Sequence, residues 1–309
     1  MTEVHISVVI PAYNRAKTIV YCLDSVCNQT VPPDEIIVVD DCSTDTTVET
    51  VNNYSLTHPL VRCVVLERNA GAQVARNRGI AEAKSEWIAF QDSDDEWLSD
   101  KLEKQIAVLR TENLDPMTVL HTDCFRFDHQ TLVKKLWALR HINGKNVLPD
   151  LLVSPGPMFQ GMLTTRLALE RIGFLDEKVP SYQEWDTSIL LARVCRFIHI
   201  REPLFVYHLH AADTISKNMK KDVEGFQYVV DKHSEEIIAV CGADELDKLM
   251  EKNAYKAMTC GLYADARQIL SKTIGNSSRL KLLRFFAKYK IKLKWLNLVS
   301  RIGHRLKVL

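Results

Sequence analysis

Four short clusters in this chain combine residue types that can do chemistry. Asp92-Ser93-Asp94-Asp95 follows an apolar run. Carboxylates one residue apart at a strand end can face one divalent cation. A hard cation such as Mg²⁺ or Mn²⁺ takes oxygen ligands and bridges to substrate phosphates, neutralising a diphosphate. The structural use of the same acids is a helix N-cap ahead of Glu96-Trp97-Leu98. Asp40-Asp41 also follows an apolar run, and one carboxylate there could accept from a base or ribose. Turn chemistry is the alternative, and Asp45 fits it beside a Thr46/Glu49 capping box. Arg76 could meet a phosphate or a pyrimidine carbonyl, or pair on the surface with an acid such as Asp41. Tyr182-Gln183-Glu184-Trp185-Asp186 opens a helical pattern, where acids suit the helix dipole or serve as a general base. His208 and His210 stand two apart on a strand-like run and share a face; one could contact the cation or the diphosphate.

These clusters need elements to position them. His5–Ile10, Glu35–Val39, Val61–Leu66 and Trp87–Phe90 read as strands, and Thr118–Thr122 as a further one. Lys17–Asn28, Thr46–Val51, Val74–Ala83 and Lys101–Arg110 read as helices between them. Continuous apolar strands alternating with helices predict an α/β fold, a Rossmann-like, mostly parallel sheet with helices on both faces. In such a sheet ligands bind beyond the strands' carboxyl ends. The loops there are Pro11-Ala12-Tyr13-Asn14-Arg15, Asp40 to Asp45, Glu67 to Gly71, and Gln91 to Asp95. Four polar loops on one edge are harder to explain by chance than any one of them. Further on, Thr165–Ile172 and Trp185–Cys195 read as helices and Phe197–Ile200 and Leu204–His208 as two short strands. From about 217 onward the pattern is mostly helical.

The 309 residues are 46% hydrophobic and 26% charged, which excludes a disordered or fibrous chain. No run approaches the roughly 18 apolar residues of a membrane span, and the start lacks a basic-then-apolar leader pattern, so the expected location is cytoplasmic. The eight cysteines show no CxxC pair and no zinc-like spacing, so reduced thiols are expected. A net charge of +1 conceals an asymmetry. Residues 266–309 hold 12 Lys and Arg and no acid, against 28 basic and 39 acidic residues before them. The tail from 279 to 309 mixes these cations with Leu, Phe, Trp and Tyr. That favours an anionic membrane surface over nucleic acid, for which no binding motif is present.

Taken in order over residues 5–215, the clusters resemble the inverting, nucleotide-sugar-dependent glycosyltransferases of family 2, which have the GT-A fold. Ser7 to Arg15 resembles the family's opening strand and nucleotide loop, and Ile37 to Asp45 its second strand, whose second Asp contacts uracil. Asn69 to Gly79 resembles its Ala-Arg-Asn-x-Gly segment, and Asp92-Ser93-Asp94 its metal-binding DxD. Gln183 to Asp186 resembles the Glu-Asp-x-Asp segment of the catalytic base, with Gln183 replacing the first acid. Tyr207 to His210 resembles Tyr-Arg-x-His, with His208 replacing Arg.

The resemblance implies a GT-A catalytic domain over 1–215, comprising a nucleotide-sugar-binding half, 1–125, and an acceptor-binding half, 126–215. Residues 216–309 form a helical C-terminal region with the basic tail. It implies single-displacement transfer from a nucleotide sugar, by family resemblance a UDP-hexose or UDP-N-acetylhexosamine, to a hydroxyl on a glycan or lipid-linked glycan. Pro11, Ala12, Tyr13, Asn14, Arg15, Asp41, Arg76, Asp92 and Ser93 bind the donor. Asp94, with Asp92 and His210, holds Mn²⁺ or Mg²⁺, and Glu184 or Asp186 is the base. A lipid-linked acceptor suits a peripheral position at the inner face of the cytoplasmic membrane. The competing readings are an inactive nucleotide-sugar-binding relative and a sugar-1-phosphate nucleotidyltransferase. The latter needs a Gly-rich loop after the first strand, where Pro11 to Arg15 has no Gly.

Overall fold

The computed structural model describes residues 3–209 and 219–291. The chain folds as two compact units: Met1–Lys178 with Gln183–Ala212, and Val179–Tyr182 with Asp213–Leu309.

The first unit begins with an alternating α/β layer. Strands β1 (Ile6–Ala12), β2 (Glu35–Asp40), β3 (Val61–Val65) and β4 (Trp87–Phe90) alternate with helices α1 (Ile19–Cys27), α2 (Thr47–Ser55) and α3 (Ala72–Glu82). β1 and β4 are buried along their whole length, and β2 from Ile36 on. Their largely apolar runs, rich in Ile and Val, are what a sheet covered on both faces requires. The strands pair in parallel in the order β3-β2-β1-β4, with Ser7 opposite Glu35 and Ile88, so the order reverses at β1. Loops after β1 and β4 leave the sheet side by side at that switch point, where open α/β sheets bind ligands. Gly79 brings α3 close to β1: a Cβ there would lie 2.3 Å from Val9 Cγ1.

Beyond β4 the sheet departs from the expected parallel arrangement. It continues through β5 (Glu96–Trp97), helix α4 (Lys101–Thr111), β6 (Thr118–Asp128), β7 (Val133–Trp137), helix α5 (Leu148–Val153), a 3₁₀ turn (Phe159–Gly161), β8 (Leu163–Thr165), helices α6 (Arg166–Arg171) and α7 (Gln183–Ala192), and β9 (Arg196–Leu209). β8 runs antiparallel to β4 and β6, β5 antiparallel to β9, and β7 antiparallel to β6, while β6 and β9 are parallel. Residues 196–209, expected as two short strands, form one long strand. A register shift beside Asp123 absorbs the polar Arg201-Glu202 segment. Glu96-Trp97 pairs with β9 instead of opening a helix, so the acids before it are not an N-cap. The Thr46 hydroxyl makes no cap bond. Asp45 instead accepts from the Thr47 backbone N–H at 3.0 Å, because an Asx turn already serves that donor.

The second unit contains α8 (Met219–Lys232), α9 (Ser234–Cys241), α10 (Ala243–Thr259), α11 (Tyr263–Ser271) and α12 (Ser278–Lys288). Helix α12 buries Leu280, Leu283, Phe286 and Ala287, so this part of the basic tail packs as an ordinary helix. Its other side exposes Phe285, and Tyr289 just beyond the helix is exposed too. The remainder of the expected membrane-contact tail, 292–309, lies outside the described residues, as does His210. No helix among the described residues is long and apolar enough to cross a membrane. None of the eight cysteines is paired in a disulfide.

Candidate active site

The loops after β1 and β2 are latched together before they reach any ligand. Asn14 adopts a left-handed backbone (φ 52°), which its short polar side chain tolerates. Its N–H donates to Ser43 Oγ (2.8 Å), and its Oδ1 accepts from the Thr44 N–H (2.8 Å). The Arg15 N–H donates to Thr47 Oγ1 and the Ala16 N–H to Asp45. Pro11 and Ala12, expected in the nucleotide loop, are buried residues of β1 itself; Tyr13 and Asn14 are exposed and Arg15 is partly so.

Asp40, the last residue of β2, and Asp41 just after it have separate tasks. Asp40 is fully buried and accepts from the Ser43 N–H and hydroxyl. Asp41 reaches the opposite way. Its oxygens accept from the N–H groups of Ala70 (2.7 Å) and Gly71 (2.8 Å), fixing the loop that leads into α3. Gly71 sits at φ 99°, a conformation that disfavours side chains.

The acid loop after β4 is held from several sides. Helix α1 grips its backbone: Tyr21 Oη donates to the Asp94 carbonyl (2.8 Å) and Cys22 Sγ to that of Asp92. Asp92 Oδ1 accepts from Arg76 (2.7 Å) and its Oδ2 from Gln160 Nε2 (2.7 Å). Asp95 is buried. Its oxygens accept from the His208 N–H (2.7 Å) and from Gln160 Nε2 (2.6 Å). Burial, with Asp94 and Asp92 beside it, holds the Asp95 carboxyl well above the usual range. Ser93 is buried, and Asp94 lies 3.5 Å from Arg15.

Asp92 and Asp94 side chains keep 30% and 22% of their surface exposed. Their hard oxygen donors suit Mg²⁺ or Mn²⁺, with phosphate oxygens completing the shell. Among the described residues no three His, Cys, Asp or Glu side chains gather as a complete metal set.

Arg76 is not the surface residue that its spacing allowed, and its partner is not Asp41. It is 5% exposed, stacks on the Phe159 ring at 4.4 Å, and also donates to Gln73 (3.0 Å) and Gln183 (2.9 Å). One guanidinium therefore ties Asp92 to the first residue of α7. Glu184, next on that helix, is partly buried. Burial raises its carboxyl above the ordinary glutamate value. Its own backbone N–H and the Arg76 charge oppose this, and Asp92 adds to it. Asp186, two residues on, is fully buried. His208 is drawn in by strand pairing. Its ring lies 2.8 Å from His129 and 3.5 Å from Glu96.

Sequence patterns missed Phe159, Gln160 and Tyr21. They lie in no motif, and only the 3₁₀ turn and α1 bring them to the acids. Gln105 and Trp97, which anchor that turn, were equally silent.

Residues 7–170 match the profile of the family described as Glycosyl transferase family 2. The chain is 45% identical over 101 residues to the putative teichuronic acid biosynthesis glycosyltransferase TuaG of Bacillus subtilis (strain 168), covering 33% of this chain and 40% of that one. The chain thus spans less than half of that relative's length. Among solved structures, S. aureus TarS 1-349 in complex with UDP-GlcNAc superposes with TM-score 0.66 at 18% identity, over 93% of this chain and 88% of the other. The mannosyltransferase PcManGT from Pyrobaculum calidifontis, in complex with GDP-Man and Mn²⁺, gives 0.61 at 20% identity, over 96% and 83%. At these identities the likeness establishes the shared GT-A architecture.

Proposed function

The chain belongs to glycosyl transferase family 2, and from that premise we propose that it transfers a sugar from a UDP-sugar to a hydroxyl of a glycan or lipid-linked glycan, with inversion. The observation that carries this reading is the Arg76 bridge. It joins Asp92 of the acid loop to Gln183, the neighbour of Glu184. The proposed donor-binding acid and the residue that precedes the proposed base are thereby held on one cation.

Glu184 is the proposed base, rather than Asp186, because it is partly exposed while Asp186 is fully buried. Its carboxylate takes the acceptor hydroxyl's proton as that oxygen bonds to the anomeric carbon. The bond to the diphosphate breaks, the nucleoside diphosphate leaves with the electron pair, and the anomeric configuration inverts. Arg15, Tyr13 and Asn14 contact the donor, and Asp41 shapes the loop beneath its base. A divalent cation on Asp94 and Asp92 would supply charge neutralisation for the leaving diphosphate. The exposed Phe285 and Tyr289, with the acid-free basic tail, support a peripheral contact with anionic membrane, where a lipid-linked acceptor would reside.

The test is UDP binding by calorimetry with and without Mn²⁺, together with product analysis on UDP-GlcNAc. Mn²⁺-dependent UDP binding, with UDP released in a sugar-transfer reaction, supports the proposal. Pyrophosphate as product would mean nucleotidyl transfer. Binding without any transfer would mean an inactive relative.

A further inference from the structure

We propose that Gln160 is a positioning residue of the donor site: its side-chain amide bridges the first and last carboxylates of the 92–95 loop and holds that loop in the form that receives the donor diphosphate. The inference rests on the transferase reading above.

Gln160 Nε2 lies 2.7 Å from Asp92 Oδ2 and 2.6 Å from Asp95 Oδ2. A primary amide nitrogen carries two hydrogens, so one N–H can serve each carboxylate. The other oxygen of each acid has its own donor: Arg76 for Asp92 and the His208 N–H for Asp95. Four carboxylate oxygens thus meet four donor bonds, and two of these come from one nitrogen.

The amide cannot easily leave this place. Gln160 is 2% exposed. Its carbonyl accepts from Trp97 Nε1 (3.1 Å), and the next carbonyl, of Gly161, accepts from Gln105 Nε2 (3.0 Å). Gly161 is closely packed: a Cβ would lie 3.0 Å from Thr122 Oγ1 and 3.1 Å from Phe205 Cε1. Phe159, on the other side, carries the Arg76 guanidinium on its ring. One 3₁₀ turn therefore supports both groups that hold Asp92.

Without the amide, Asp92 and Asp95 would confront each other across a poorly solvated gap. Two carboxyl oxygens would lose their donor at once, and the loop would relax towards water or other donors. Asp94 lies between them in the chain and would move with the loop. Gln160 itself touches no atom that reacts in the proposed mechanism. Its loss should therefore weaken donor capture much more than the bond-making step.

The test compares the full-length wild type with Gln160→Met, which removes both N–H groups at similar size. A hydrogen bond to a charged group contributes about 1.5–3 kcal/mol, which corresponds to about a tenfold to hundredfold weaker UDP Kd by calorimetry in Mn²⁺. The KM for UDP-GlcNAc should rise in step, with kcat at saturating donor kept within about threefold. A folded Gln160→Met protein with wild-type UDP affinity, or with a fallen kcat and unmoved KM, overturns the proposal. Should that variant fail to fold, the isosteric Gln160→Glu, which adds a third carboxylate, replaces it. UDP binding by Gln160→Glu weaker than wild type supports the inference, and undiminished binding overturns it. The wild-type titration separates the two readings: no UDP binding there removes the transferase reading and this one together, whereas wild-type binding with unchanged variants removes this one alone.

Discussion

Replacing Arg76 by Met removes the cation from the centre of the site while keeping most of its apolar bulk. The guanidinium donates to Asp92 at 2.7 Å, Gln183 at 2.9 Å and Gln73 at 3.0 Å, and lies 4.4 Å over the Phe159 ring. Breaking a fully buried ion pair from one side costs about 3–5 kcal/mol. Asp92 keeps 30% of its side chain in water, and the lost guanidinium returns its own desolvation cost, so about 2–3 kcal/mol is the expected loss. For a unit of this size that is about 4–12 °C in Tm, at about 2–4 °C per kcal/mol. Differential scanning calorimetry at pH 7 reads it. A second readout is independent of stability. The Arg76 charge holds the Glu184 carboxyl down against burial, so its removal should move the acidic limb of kcat to higher pH. A Tm within about 1 °C of wild type, or an acidic limb that stays or falls, would refute the bridge as described.

In wild type the same limb should lie above the ordinary glutamate value, because the base form is needed and burial raises the Glu184 carboxyl; kcat then falls as pH drops through that raised value. Gln183→Glu adds a carboxylate next to Glu184 and should push the limb higher still, as a pH–rate profile would record. Glu184→Gln should cut transfer by about 10²–10⁴-fold while UDP affinity by calorimetry stays within about twofold. Gly79→Ala forces a Cβ to within 2.3 Å of Val9 Cγ1 and should cost about 1–3 kcal/mol in urea unfolding with no change in the pH limb. Asp41→Ala orphans the Ala70 and Gly71 N–H groups and should destabilise by about 1–3 kcal/mol and weaken UDP binding, whereas Asp41→Asn, which can still accept one of them, should recover part of both.

The first half of the fold is legible because it is local. β1, β2 and β4 are short apolar runs that must be buried on both faces, and β3 is a short β-branched run beside them. The loop after each strand carries polar residues that cannot be buried unpaired. The order of those loops along the chain therefore already says that Arg15, Asp41 and the 92–95 acids meet at one sheet edge. The second half is less legible. β8 and β5 are three and two residues long, too short to show a period, and β7 is exposed throughout, so no alternation marks it. What ambiguous residues do was equally hidden. Arg76 could have been a surface cation and the 92–95 acids a helix cap, since both use the same side chains.

Composition and periodicity alone thus determine an α/β layer, the acids at its edge, and the basic composition of the carboxyl-terminal part. Only the tertiary structure decided that Asp40 is a turn residue while Asp41 holds the α3 loop, that Arg76 is buried on Asp92 and Gln183, and that Gln160, silent in sequence, sits between two carboxylates. The reason is physical: the burial of apolar runs is written into spacing. The partner of a buried charge depends on which distant segments the sheet brings within hydrogen-bond reach, and 68 residues separate Gln160 from Asp92.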